Sequence, residues 1–126
     1  AKAVVQVCDL LDDLQLHRPV LIGWGQGGVV AMGAGLLRAG QVGSVVSVDP
    51  PSGHVELLPA QARASEARPP MLLAASDPSI PPDLDRQQRA LGGGRAPTTW
   101  CCPVEGTPED RDKALSVRIG QWLEGS

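Results

Sequence analysis

The chain has 126 residues, of which 42% are hydrophobic and 20% charged, with a formal net charge of −3. This length predicts one domain that buries roughly two-thirds of its unfolded surface. The 11 Lys and Arg residues are scattered and outnumbered by 14 acids, so the composition argues against a nucleic-acid partner. No apolar run approaches the ~18 residues that span a membrane, and no signal peptide is visible, so we expect no membrane association and a cytoplasmic protein.

The cysteines and histidines give no sign of a metal site. Cys8, Cys101 and Cys102 have neither the spacing of a disulfide framework nor that of metal ligands, and the chain has only two histidines. We expect buried free thiols in a reducing compartment, and no metal or cofactor. The sequence opens without Met, which predicts that the native amino terminus lies upstream of Ala1 or has been processed.

The hydrophobic pattern predicts helices that alternate with short strands. Helices are expected over residues 4–16, 27–38, 83–91 and 108–123, and strands over residues 20–23, 43–51, 70–75 and 97–103, with one helical turn within residues 57–63. Such alternation predicts right-handed crossovers and a parallel sheet covered on both faces. The expected fold is therefore a single α/β domain over residues 1–126, a three-layer sandwich with a four-stranded, mostly parallel sheet.

Local signals refine these elements. Ala39 and Gly40 are predicted to end the second helix, and Thr107 is predicted to cap the last helix with Pro108 at its first position. Glycine weakens a helix by about 1 kcal/mol relative to alanine. Gly33 and Gly35 inside the second helix therefore predict close packing of that helix on the sheet.

Glycines concentrate where the first strand meets the second helix. Residues 19–28 form an apolar run that ends in Gly23, Gly25, Gly27 and Gly28. This pattern is typical of a sharp strand-to-helix turn that leaves helix N–H groups open to a ligand. One interpretation is a dinucleotide fingerprint, G-x-G-x-x-G, with Asp49 as the ribose-binding acid. That interpretation requires the second strand to lie beside the first.

The other interpretation is a nucleophile elbow, G-x-S-x-G, in which the serine is replaced. The helix, strand and turn over residues 7–28 resemble those of the α/β-hydrolase family, in which G-H-S-x-G-G and G-W-S-x-G-G are common forms. Residues 44–50 resemble the next strand of that family, and residues 72–81 resemble the strand and loop that bear the triad acid. The resemblance extends to the last helix, and it covers the second half of a typical hydrolase fold.

The resemblance implies a catalytic site that lacks its chemistry. It places the nucleophile at Gly25, which has no side chain, an oxyanion-hole donor at the backbone N–H of Gln26, and the triad acid at Asp77. The family's histidine would lie near residues 104–107, but no histidine follows His54. Loss of the nucleophile or of its base costs on the order of a millionfold in rate.

These observations predict a hydrolase-like pseudoenzyme that serves as a binding or interaction module. Trp24, Gly27 and Gly28 are expected to line what remains of the pocket, with a small acyl or carboxylate molecule as the ligand. The alternative is a serine-type hydrolase, an esterase or thioesterase, seen as a fragment or an inactivated form, and the second alternative is a dinucleotide-binding domain.

The half-length of the resemblance predicts an exposed sheet edge. The strand before the elbow lies in the middle of the sheet in the family, so Val20 to Ile22 would here form an apolar edge. We expect a second copy of the chain, a partner chain or the first helix to cover this edge.

Overall fold

The computed structural model describes residues 2–49, 58, 60–63, 69–76, 98–101 and 106–125. Its helices are α1 (Lys2–Leu14), α2 (Gln26–Leu37), α3 (Ala60–Arg63) and α4 (Pro108–Glu124), and its strands are β1 (Val20–Trp24), β2 (Ser44–Val48), β3 (Met71–Ala75) and β4 (Thr98–Cys101). All strand pairs are parallel, in the order β1-β2-β3-β4. The predicted α/β class with a parallel sheet is confirmed. The helix predicted over residues 83–91 lies outside the described residues.

Apolar clusters lie on both faces of the sheet. Every residue of β2 and β3 is buried, as expected for parallel strands covered on both sides. Val45 and Leu73 belong to the cluster that joins the sheet to α1, α2 and α3. Val46 and Leu72 belong to the second cluster, which includes Leu115 of α4. We call these two sides the α2 face and the α4 face.

Two glycines of α2 allow close approach to different neighbours. A Cβ built on Gly35 would stand 2.4 Å from Cγ2 of Val45 in β2, which confirms the predicted packing of helix on sheet at this position. A Cβ built on Gly33 would stand 2.9 Å from Cγ2 of Val4 in α1. Gly33 therefore serves the contact between two helices, and the prediction that it packs on the sheet was wrong.

Local sequence signals predicted the start of α4 correctly, but not the ends of α1 and α2. α1 ends at Leu14, before the predicted end at residue 16, and Gln15 takes a left-handed conformation with φ 50°. α2 is capped by Arg38, whose N–H donates to the Ala34 carbonyl, so the predicted cap at residues 39 and 40 was wrong. At α4, Thr107 forms a capping box with Asp110, which confirms the predicted cap.

β1 is an edge strand in the described part of the sheet. Val20, Ile22 and Trp24 are 43%, 48% and 57% exposed. They are in register with Ser44, Val46 and Val48 and therefore belong to the α4 face. α1 packs on α2 and makes at most marginal contact with β1, so α1 is not the predicted cover of this edge. None of the helices in the described ranges has the length and apolarity needed to cross a bilayer.

Candidate functional site

The turn between β1 and α2 lies at the carboxyl edge of the parallel sheet. Gly25 alone separates the two elements, with φ 57° and ψ −126°. Its N–H donates to the Val48 carbonyl at 2.8 Å, and its carbonyl accepts from the Gly28 N–H at 3.0 Å. These angles lie outside the regions that residues with a Cβ occupy without strain. A sharp, strained strand-to-helix turn is the backbone feature that defines a nucleophile elbow.

Glycine is favoured at position 25 by the backbone conformation and not by contact with neighbouring atoms. A Cβ built on Gly25 meets nothing within 4 Å. The space into which a nucleophile would project from the elbow is therefore open. Gln26 begins α2 directly after it, so the N–H of Gln26 belongs to the first turn, whose N–H groups have no acceptor within the helix. The turn thus brings the predicted nucleophile position and the predicted oxyanion donor together.

Two neighbouring glycines are needed for close packing. A Cβ on Gly23 would stand 2.1 Å from the Gly27 carbonyl oxygen, and a Cβ on Gly28 would stand 2.3 Å from Oγ of Ser47. These contacts let the first turn of α2 sit directly on β1 and β2. Gly28 is buried and Gly27 is exposed with open space around its Cβ position.

The three residues expected to line the pocket are not brought together. Trp24 belongs to the α4 face of β1, opposite α2, because side chains alternate along a strand. Gly28 is covered by Ser47, whereas Gly27 is open. These residues are neighbours in the sequence, but Trp24 lies on the α4 face of the sheet, whereas Gly27 and Gly28 belong to α2 on the other face.

Ser47 is a buried polar residue that the sequence analysis did not single out. Its side chain is fully buried, and its Oγ has no hydrogen-bond partner among the described residues. It lies on the α2 face of β2, against Gly28. A buried hydroxyl without a partner costs about 1–3 kcal/mol. Its only signal in the sequence is a polar residue inside an apolar strand.

A second polar contact joins the ends of β2 and β3 at the same sheet edge. Asp49 has a left-handed conformation with φ 51°. Its carboxylate accepts hydrogen bonds from the N–H of Ser76 at 2.8 Å and from Oγ of Ser76 at 2.5 Å. Both oxygens are therefore engaged within the protein. Asp49 follows a buried strand directly, which was the signal that made it a candidate ribose-binding acid.

Of the predicted triad acid and the two histidines, only His17 lies among the described residues. Asp77 and His54 lie outside the described residues. His17 lies in the connection from α1 to β1, at the amino end of the five-residue β1. A strand rises about 3.3 Å per residue, so His17 and Gly25 are separated by roughly 17 Å. His17 is too far away to take a proton from a group at position 25.

Comparison of the chain with family models, curated proteins and solved structures gives no match. The function must therefore be inferred from the turn, the sheet and the side chains themselves.

Among the described residues, Cys8 is the cysteine whose environment is known. Cys8 is a free, buried thiol in α1, as expected, and burial raises its pKa. A buried, protonated thiol is a poor nucleophile. The side chain of Cys101 and all of Cys102 lie outside what the structure describes. In the described ranges, no group of three His, Cys, Asp or Glu residues could hold a metal ion.

Proposed function

We propose that this chain is an α/β-hydrolase-like domain with a degenerate catalytic site, which acts without catalysis as a binding or interaction module. The observation that carries this proposal is Gly25. It holds the strained conformation of an elbow, with φ 57° and ψ −126°, at the carboxyl edge of the sheet, and it has no side chain with which to attack a substrate.

The surrounding sheet supports the resemblance. An elbow strand followed directly by a helix and by successive parallel strands is the arrangement expected after the nucleophile in an α/β-hydrolase. The described strands follow one another in the order β1-β2-β3-β4. α2 lies on one face and α4 on the other. Each of these features matches the second half of that fold.

The residues of the chain argue against triad catalysis. Acyl transfer by a triad needs a nucleophile, a base within hydrogen-bond reach and an orienting acid. Gly25 supplies no nucleophile, His17 lies at the opposite end of β1, and no histidine follows His54. Loss of the nucleophile or of the base alone costs on the order of a millionfold in rate.

One observation favours the alternative of a serine-type hydrolase in an inactivated or partial form. A side chain at position 25 would enter open space, since a Cβ there meets nothing within 4 Å. A serine at this position would stand beside the N–H of Gln26. The turn therefore has space for a nucleophilic side chain, which Gly25 does not supply.

Dinucleotide binding has weaker support. β2 lies beside β1, as that interpretation requires. However, dinucleotides bind where the order of the strands in the sheet reverses. The described strands lie in the sheet in the same order as in the sequence, without a reversal. The carboxylate of Asp49 also accepts two hydrogen bonds from Ser76, so a ribose would compete with Ser76 for its oxygens.

Substitution at the elbow tests the proposal. We expect Gly25→Ser to hydrolyse p-nitrophenyl acetate and butyrate no faster than Gly25→Ala or the unchanged chain, because a serine without a base is a weak nucleophile. Circular dichroism should show that all three proteins fold. A gain of about 100-fold or more for Gly25→Ser over Gly25→Ala, the effect of a positioned base, would instead establish a hydrolase whose nucleophile has been replaced.

A further inference from the structure

Among the described strands none pairs with the outer edge of β1, which leaves a recess between that edge and one side of α1. α2 packs on both β1 and β2, and α1 packs on α2. Packed helix axes lie about 8–10 Å apart, whereas neighbouring strands lie about 4.8 Å apart. α1 therefore extends past β1, over the position that an added strand would occupy. We call this space the β1 recess.

The orientation of α1 follows from its contacts. Val4 lies against Gly33, and Asp12 binds Arg38 and Gln41. α1 thus runs parallel to α2, and both run antiparallel to β1. The stripe of α1 that contacts α2 carries the buried residues Val4, Cys8 and Leu11. Because the helix and the crossover from β1 to β2 are both right-handed, the flank that faces the sheet layer carries positions 7, 10 and 14.

The walls of the β1 recess are apolar. Leu10 and Leu14 are 54% and 53% exposed, although they sit next to the buried stripe of α1. Val7 and Leu21 are partly buried beside them. On the opposite face of β1, Ile22 continues the surface formed by Val46. A strand in this recess would pack under α1 on one face and would lie beside Ile22 on the other, so it would contact apolar side chains on both faces.

A second copy of the chain does not fit the β1 recess. Pairing of two β1 strands across a two-fold axis would place the partner's α1 over β1 and β2. That position is already filled by α2, which packs on both strands. The extension of α1 past β1, which would cover one face of an added strand, therefore prevents symmetric pairing of two β1 strands. The occupant must be an extended segment that brings no helix to the α2 face.

The charge around the β1 recess is acidic. Asp13 lies one helical turn from Leu10 and is exposed, as is Asp9 on the same outer side of α1. Neither forms an ion pair within the described residues. Lys2 lies at the other end of α1 from Asp13, and the backbone carbonyl and Cβ of Arg18, the basic residue nearest to Asp13 in sequence, lie against Gly43 before β2. A basic residue at the border of the occupant would complement this rim.

We propose that the β1 recess binds an extended hydrophobic segment of another polypeptide, which adds a strand to β1 under α1 and places a basic residue near Asp13. This inference rests on the proposed function, since it names the partner of the interaction module. Main-chain hydrogen bonds to β1 supply affinity in strand addition, and side-chain contacts supply specificity. The occupant resembles a buried strand, apolar on both faces.

Peptide binding to the full chain tests the proposal. The probe is a fluorescein-labelled peptide, Lys-Val-Ile-Val-Ile-Val-Lys, followed by fluorescence anisotropy. We expect saturable binding, at least about tenfold tighter than that of Lys-Val-Thr-Val-Thr-Val-Lys, because the second peptide is polar on one face. N-methylation of every amide between the two terminal Lys residues of the peptide should abolish binding, since a peptide that is apolar on both faces can present either edge to β1. Absence of binding, or unchanged binding of the N-methylated peptide, would overturn strand addition.

Two matched variants locate the site. Leu10→Gln should weaken peptide binding about tenfold, whereas Val5→Gln should leave it unchanged. Both residues lie on α1 and are equally exposed, at 54% and 55%, but Val5 lies on the side away from the sheet layer. Equal effects of the two variants would contradict the assignment of the peptide site to the β1 recess. A dimer in sedimentation equilibrium that the Ile22→Lys substitution dissociates would also contradict it. The hydrolysis test reads ester turnover at position 25, whereas the anisotropy test reads peptide binding at β1, so the two tests can fail separately.

Discussion

At the scale of single residues, Gly25 and Gly27 have the same open surroundings but different backbone conformations. Neither would bring a Cβ within 4 Å of another atom, yet only Gly25 has a positive φ, of 57°. We expect Gly25→Ala to lower the free energy of unfolding by about 1–3 kcal/mol through backbone strain. Gly27→Ala should raise it by about 0.5 kcal/mol, because alanine favours the helix that contains this residue.

Urea denaturation of the two variants measures this difference. Gly27→Ala is the control for the chemical change itself, since both substitutions add one methyl group to an open position. If both variants were destabilised equally, steric contact and not backbone strain would govern the turn, and the elbow conformation assigned to Gly25 would be wrong.

The residues of the turn were predictable, but two polar contacts were not. The glycine pattern and its position between a strand and a helix indicated a sharp turn at Gly25. By contrast, the contact of Ser47 with Gly28 depends on which face of β2 the serine occupies. The hydrogen bonds from Ser76 to Asp49 depend on the pairing of β2 with β3. Both contacts arise from tertiary structure, which leaves only a weak local signal.

At the scale of elements, an ion pair fastens α1 to the end of α2. Nε and Nη2 of Arg38 donate to the two carboxylate oxygens of Asp12 at 3.0 and 3.1 Å, and Nε2 of Gln41 donates at 3.1 Å. The hydrogen bond from Arg38, followed by that from Gln41, holds the pKa of Asp12 below its ordinary value of 3.8. The same ion pair raises the pKa of Arg38.

The lowered pKa of Asp12 predicts a dependence of stability on pH. A carboxyl with a lower pKa in the folded state stabilises that state above the unfolded pKa of 3.8, and this contribution is lost as the pH falls below that value. We expect Asp12→Asn to be less stable than the unchanged chain at pH 7. Because Asp12 is exposed, the difference should be small, and it should shrink at pH 3.

Denaturant titrations at the two pH values check this prediction. Asp13→Asn is the matched control on the same helix, since Asp13 forms no ion pair within the described part of the chain. A difference for Asp12→Asn that persists unchanged at pH 3 would show that the carboxylate of Asp12 does not stabilise the contact between α1 and α2.

Element boundaries were predictable where the local chemistry is strong. Thr107 and Pro108 mark the start of α4, because a capping side chain and a fixed φ act within one turn. The end of α2 was predicted at Gly40 from its residue type, yet the helix closes earlier through the N–H of Arg38. There the hydrogen bonds from Arg38 to Asp12 hold the end of α2 against α1, and a tertiary contact of this kind is not visible in the local sequence.

At the scale of the whole molecule, the sequence pattern predicted the fold class but not the distribution of exposed surface. Alternating helices and apolar strands indicated a parallel α/β sheet, and the exposed edge at Val20 and Ile22 followed from the resemblance. The overhang of α1 past β1 could not be predicted, because it depends on how Val4 and Gly33 set the packing of two helices. That overhang determines which occupants the edge can accept.

The whole molecule also decides whether a serine at position 25 could be activated. A serine on a strained turn becomes a strong nucleophile only when a base from another part of the fold reaches it. The chain places His17 at the far end of β1 and has no histidine after His54. Restoring the nucleophile alone should therefore leave the serine unactivated.

The most direct measurement is the reaction of Gly25→Ser with a fluorophosphonate probe, with the site of modification mapped by mass spectrometry. The expected result is no adduct at position 25 beyond that found in the urea-unfolded protein, because His17 lies at the far end of β1 and no histidine follows His54. Rapid, selective modification at position 25 in the folded protein, absent after unfolding, would contradict a degenerate site and would establish a hydrolase that lacks only its nucleophile.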